Sequence, residues 1–357
     1  MSYTNGLDDP SAHFQIATYT GNGTDNTAIT YDGNSDMQPD FLWFKLRSTT
    51  GNHVLFDSNR GVTKYIRSNT TAAETTNGTL LKSFDTDGFT VGSNASTNYN
   101  NQTLVSWGWK ANGGTTSSNT DGTITTTVQA NTTAGFSIAT WTGNGTNGAT
   151  IGHGNSGIPN GYIVKRLDTT ADWGVGGGYT GNVWVGGTSA VMHLNTDDAV
   201  SEAYNNYWGS SFPNNQVLPL SQNAEINASG GSYVGYFFRS IQGYSKLGRY
   251  TGNGNDDGAF VYTGFKPAFV LYKKTSSENW IILDNKRDPH NVAFTRLVPN
   301  KTNADTTSLT SLMDFTSNGF KLRTSHATIN SNNTDYIYMA FAENPFVTST
   351  GKPVTAR

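Results

Sequence analysis

Apolar and aromatic residues fall in short runs bounded by Asn-Gly, Asp-Gly, Gly-Asn and Pro, and no long stretch repeats them at helical spacing. Phe14-Gln-Ile-Ala-Thr-Tyr19 and Phe136-Ser-Ile-Ala-Thr-Trp141 alternate with the period of a strand. Asp87-Gly88 and Asn318-Gly319 stand where a two-residue hairpin turn needs positive φ. The pattern predicts β-structure almost throughout. Many strands with long polar connections favour two-sheet sandwiches of jelly-roll type.

The pattern also repeats. Tyr19-Thr-Gly-Asn-Gly23, Trp141-Thr-Gly-Asn-Gly145 and Tyr250-Thr-Gly-Asn-Gly254 each open a similar stretch of chain. A Pro-led strand follows in each copy: Pro39-Asp-Phe-Leu-Trp-Phe-Lys45, Pro159-Asn-Gly-Tyr-Ile-Val-Lys165 and Pro267-Ala-Phe-Val-Leu-Tyr-Lys273. The outer copies share His53-Val-Leu-Phe-Asp57-Ser-Asn-Arg60 and Trp280-Ile-Ile-Leu-Asp284-Asn-Lys-Arg287, whereas the middle copy has Trp173-Gly-Val-Gly-Gly-Gly-Tyr179. Asn69 with Glu74 and Asn300 with Asp305 keep a common offset. Each copy closes on an aromatic strand: Leu104-Val-Ser-Trp-Gly-Trp-Lys110, Tyr233-Val-Gly-Tyr-Phe-Phe-Arg239 or Tyr336-Ile-Tyr-Met-Ala-Phe-Ala342.

These landmarks predict three tandem β-sandwich domains at 1–112, 134–240 and 241–346, with a C-terminal tail at 347–357. Residues 113–133 are rich in Gly, Ser, Thr and Asn and read as a flexible linker with at most one short strand, the expected first point of proteolysis. No such spacer separates copies two and three, so these are expected to pack more closely than copies one and two.

Composition narrows the class. The 357 residues contain no Cys, 35% are hydrophobic, 12% aromatic and only 14% charged, so cores must rest on packed aromatics rather than disulfides. A net charge of -3 without a Lys/Arg patch gives no footprint for nucleic acid. The N-terminal residues carry neither the basic nor the apolar region of a signal peptide, and no apolar run approaches the length that spans a bilayer, so no membrane insertion is expected.

The opening Asp8-Asp9-Pro-Ser-Ala-His-Phe14, the three Gly-Asn-Gly phrases, Asn131-Thr-Thr-Ala-Gly-Phe-Ser137 and the closing Tyr336-Ile-Tyr-Met-Ala-Phe-Ala-Glu-Asn-Pro-Phe346 resemble a family of repeat-bearing phage structural proteins, many from marine phages. The resemblance covers nearly the whole chain and implies laminin-G-like or concanavalin-like sandwiches in a tail-fibre or virion protein. It further implies a virion location after synthesis in the host cytoplasm, other virion proteins as partners, and a host-surface glycan as a candidate ligand. A homotrimer stays open. The middle copy departs from the outer two in lacking the Asp/Arg landmark.

Candidate chemistry is sparse. The six His are scattered without His-Glu-x-x-His, and Asp85-Thr-Asp87-Gly88 lacks the glutamate that would close a calcium loop, so no metal set and no cofactor are nominated. No local pair of carboxylates marks a glycosidase, and no enzymatic activity is expected. Asp57 with Arg60 and Asp284 with Arg287 read as structural ion pairs tying down loops, with a ligand-facing pair as the alternative. Trp173, Tyr179, Trp184, Tyr207 and Trp208 cluster among Gly, Asn and Asp in the middle copy, a mixture able to form an apolar platform edged by hydrogen-bonding groups. Trp208 is the leading sugar-stacking candidate, set against the commoner fate of a buried anchor. Three functions stand: host-surface adhesion, a purely structural decoration or connector role, and, ranked last, surface-polysaccharide hydrolysis.

Overall fold

The computed structural model describes residues 7–179, 182–202 and 207–353. The protein is all-β: the sheets are antiparallel, and each α-helix is a single turn. One four-strand order occurs three times. It reads Phe14–Thr20, Thr103–Trp109, Phe41–Leu46, Val54–Asp57 in the first copy and Ser245–Thr251, Asp335–Pro345, Phe265–Lys274, Ile281–Asp284 in the third. The middle copy has Phe136–Thr142, Ser232–Phe238, Gly161–Arg166 and Trp173–Gly176 in the same order, inside a seven-stranded sheet. A smaller sheet lies over each, for example Thr27–Ile29, Gly88–Val91 and Leu81–Asp85 in copy one.

Each main sheet is buried on both faces. In Phe41–Leu46, Leu42 and Phe44 pack into the copy's own core, while Phe41 and Trp43 turn to the other side. That second side is a core shared by all three copies, into which the closing strands send Trp107 and Trp109, Tyr236 and Phe238, and Met339 and Phe341. Trp109 meets Phe341 and Phe238 edge to face, and Phe41 lies on Tyr236 with ring centroids 4.3 Å apart. The aromatic packing closes to a cavity of about 10 Å³, room for about one water, and its lining is apolar.

The copies meet in a closed ring. Asp305 N–H donates to Arg47 O, Glu74 N–H to Leu167 O and Val200 N–H to Thr275 O. Gly51 N–H donates to Thr302 O, Ala171 N–H to Thr71 O and Glu278 N–H to Asp197 O. The buried Lys45, Lys165 and Lys273 reach Thr302 O, Thr71 O and Asp197 O, again across each junction. Corresponding positions therefore make corresponding bonds at all three junctions, the closed head-to-tail arrangement of a cyclic trimer realised within one chain.

Residues expected to form a flexible linker at 113–133 instead supply the strands Ser117–Asn119 and Thr126–Asn131, which extend the middle sheet beside Phe136–Thr142. Gln129 and Thr126 are buried, and Asn59 Nδ2 of the first copy donates to Thr127 O. Copies two and three are also not singled out as the closer pair, because the first copy closes the ring through the same junctions.

The two predicted hairpin glycines differ. Gly88 has φ +102°, as the turn requires, whereas Gly319 is not in the left-handed region. Its constraint is proximity: a Cβ on Gly319 would overlap Val261 O of the neighbouring strand, and one on Gly88 would overlap Ile29 O. Gly88→Val and Gly319→Val are each expected to lower stability by about 1–3 kcal/mol in urea unfolding. An unshifted midpoint in both would contradict the close approach.

Candidate functional site

The aromatics proposed as a platform do not face solvent. Trp173, Trp184, Tyr207 and Trp208 are all buried, and the side chain of Tyr179 lies outside the described residues. Their Gly-rich setting has a packing explanation. Strand pairing places Gly161 where the outer copies have Phe41 and Phe269, and it sets Gly177 at the place of Asp57 and Asp284. A Cβ on either glycine would press against the Trp184 ring. Trp184 thus refills the space, and its Nε1–H donates to Tyr338 O of copy three at 2.9 Å. Trp208 lies likewise over Gly176 and donates to Ala190 O at 2.9 Å, while Trp173 donates to Arg67 O of copy one. The tryptophans and glycines are volume exchanges within a close-packed interior.

The Asp/Arg pairs are buried clasps between copies. Arg60 Nε meets Asp57 Oδ2 at 2.7 Å, and Arg287 Nε meets Asp284 Oδ2 at 2.6 Å. Each arginine also reaches the acid at the shared offset, Glu74 or Asp305. Each aspartate takes a donor from the closing strand of another copy: Tyr236 OH to Asp57 at 2.7 Å, and Trp107 Nε1 to Asp284 at 3.0 Å. Burial alone would lower both arginines, but the neighbouring acids outweigh it and hold both above their ordinary value. At the third junction the corresponding donor position is Met339, the aspartate position is Gly177 and the acid position is Val200, so the whole polar set is replaced together.

One set of metal-ligating groups emerges among the described residues that the sequence did not nominate. Asp172, His193 and Glu225 present ligand atoms that all lie within 4.8 Å of one another. Strand pairing of Gly174 with His193 brings the histidine beside Asp172, and the one-turn helix Ala224–Asn227, capped by Asn223, supplies Glu225. His193 Nε2 is 3.3 Å from Glu225 Oε2; Tyr207 OH donates to the same oxygen at 2.6 Å, and Asn195 Nδ2 to Asp172 Oδ1 at 2.6 Å. Burial would lower His193, but Glu225, Asp172 and Asp198 outweigh it and raise it; burial would raise Glu225, but His193 and Tyr207 hold it below the usual carboxylate range. The group could hold a cation or serve as a plain ion pair.

A second surface feature joins copies two and three. A cleft of about 340 Å³ is edged by Gln242, Lys246, Thr263 and Val347, with the ring of Tyr262 at its rim. Tyr262 is 61% exposed and Phe260, two residues earlier on the edge strand Phe260–Tyr262, is 47% exposed. Large aromatics this open are uncommon, and Tyr262 shares the cleft with Gln242 and Lys246, whose amide and ammonium groups are of the kind that bind sugar hydroxyls.

Residues 9–345 match the model of a family described as a domain of unknown function, DUF7483, and the chain belongs to that family. No curated protein and no solved structure matches the chain.

Proposed function

We propose that this chain is a structural protein of a bacteriophage virion, fibre- or tail-associated, that contacts a host-surface glycan through the cleft beside Tyr262. Its three copies are then laminin-G/concanavalin-like jelly-roll sandwiches without enzymatic chemistry. The virion assignment rests on the repeat phrases and their resemblance to phage structural proteins. The exposed Tyr262 ring at the edge of the cleft carries the adhesion assignment, since an open aromatic face flanked by Gln242 and Lys246 suits a sugar ring with its hydroxyls. This places the contact surface away from the buried tryptophans of the middle copy. A rigid ring also suits the role, because a weak site on a particle component present in several copies gains avidity without strong single contacts.

Tyr262→Ala is expected to cut binding of the purified chain to host cells, or to their extracted surface polysaccharide, by about tenfold, the equivalent of about 1.4 kcal/mol. The melting temperature should be unchanged, because the side chain is largely in solvent. Equal binding by both proteins would remove the adhesion role. The burial of Trp173, Trp184, Tyr207 and Trp208 favours the second reading in that event, a decoration or connector protein whose copies only hold the particle together. Absence of the chain from purified particles would reject both.

A further inference from the structure

The three copies provide an internal control for the Asp172–His193–Glu225 cluster. The position of Asp172 is held by Asn52 in copy one and Asn279 in copy three, and each of the three accepts the same bond from Asn195, Asn69 or Asn300. The position of His193, whose carbonyl accepts from Trp280, is Arg67 in copy one and Val298 in copy three, whose carbonyls accept from Trp173 and His53. Glu225, second in its one-turn helix, corresponds to Ser96 and Thr328. All three ligating groups therefore belong to the middle copy alone, on a backbone that otherwise repeats.

We propose that Asp172, His193 and Glu225 bind one divalent transition cation of the zinc class. An imidazole with two carboxylates suits zinc rather than calcium or magnesium, which take all-oxygen sets. Zinc bound at about 2.0–2.2 Å to nitrogen and oxygen separates tetrahedral ligands by about 3.3–3.6 Å. The His193 Nε2 to Glu225 Oε2 distance of 3.3 Å already has that span, and the Asp172 oxygen, within 4.8 Å of both, must draw in by about 1.4 Å at most to complete it. Supporting bonds are in place, because Tyr207 OH orients Glu225 and Asn195 orients Asp172. Three protein ligands leave one position open.

The location gives the cation a structural task. Asp172 follows Ala171, which is bonded to Thr71 of copy one, while the carbonyl of His193 takes the Trp280 indole of copy three. A cation here ties an element of the middle copy that contacts copy one to an element that contacts copy three. It does so in the copy that lacks the Asp/Arg clasp, independently of whether the protein binds glycan.

Calorimetric titration of the chelator-treated full chain with zinc is expected to give one site per chain. Zinc should raise the melting temperature, and magnesium should not. Asp172→Asn installs the residue found at Asn52 and Asn279 and keeps the acceptor for Asn195, so it should fold while weakening zinc at least about tenfold; Glu225→Gln should do the same. Cobalt(II) substituted for zinc should show the visible absorption of a low-coordinate site in the unmutated chain and lose it in both variants. Absence of stoichiometric zinc binding, no zinc-dependent rise in melting temperature, or parental affinity in either variant overturns the site.

Discussion

Asp284→Ala is expected to destabilise the protein by about 3–5 kcal/mol, among the largest effects of any single substitution outside the shared core. The aspartate is fully buried and holds three donors: its own Arg287 through Nε and the backbone N–H, and Trp107 Nε1 from copy one. Removal leaves the Arg287 guanidinium with Asp305 as its remaining acid and orphans an indole N–H in an apolar core. The loss should appear in urea unfolding as a shift of one cooperative transition for the whole chain, because the lesion opens a junction of a closed ring. Arg287→Met added to Asp284→Ala should recover part of the loss, since removing both charges takes away the unpaired one. A loss below about 1 kcal/mol, or a separate early transition confined to the third copy, would show that the clasp does not bind the ring.

Much of this was legible in the chain, and what was hidden has definite causes. The repeat was visible because its landmarks occupy positions with strict local demands: the phrase glycines Gly21, Gly143 and Gly252 pack so closely on Tyr99, Ala228 and Ser331 that a Cβ has no space. Closure into a ring was hidden because its junctions run largely through main-chain groups such as Arg47 O, Thr71 O and Thr275 O, which impose no residue type. One signal did point to it: Phe-Leu-Trp-Phe at 41–44 does not alternate, as expected of a strand buried on both faces. The residues read as a linker were misjudged from composition, since Thr126–Asn131 pairs by backbone bonds and shelters Val128 and Gln129. Trp208 meets the commoner fate of a buried anchor, and Trp184 with it, because a Gly-Trp mixture describes a volume exchange as well as an exposed platform. The Asp172 cluster joins residues far apart in sequence, although aligning Asp172 with Asn52 and Asn279 would have flagged it.

Stability is expected to fall as pH drops from 6.5 toward 4, through two histidines held neutral by burial. Trp43 Nε1 donates to His53 Nδ1, so its Nε2 carries the proton and donates to Val298 O across the junction with copy three. Burial pushes His53 well below its ordinary value, with Lys45 and Arg287 adding to the shift and only the bond to Val298 opposing it. His153 is fixed in the same tautomer, accepting from Asn155 N–H and donating to Asn214 O. Burial pushes it down to about 4, with Arg239 adding and the Asn214 bond and Asp121 opposing. For both groups the folded value lies below the unfolded one, near 6.5, so the unfolded chain binds more protons in the window between them. Their contribution is complete above pH 6.5 and is lost as pH falls toward the folded value. For His153 that amounts to about 3 kcal/mol by pH 4. His13, also lowered by burial, acts in the same direction, whereas the raised His193 contributes below 6.5 and loses that contribution as pH rises, outside this window. Carboxylates enter mainly below about 4.5, so the slope of unfolding free energy between pH 6.5 and 5 reports the imidazoles. His153→Gln should flatten that slope in part, whatever it does to absolute stability. A stability that stays level from pH 6.5 to 5 in the parent chain would mean that these rings are not held neutral in the folded state.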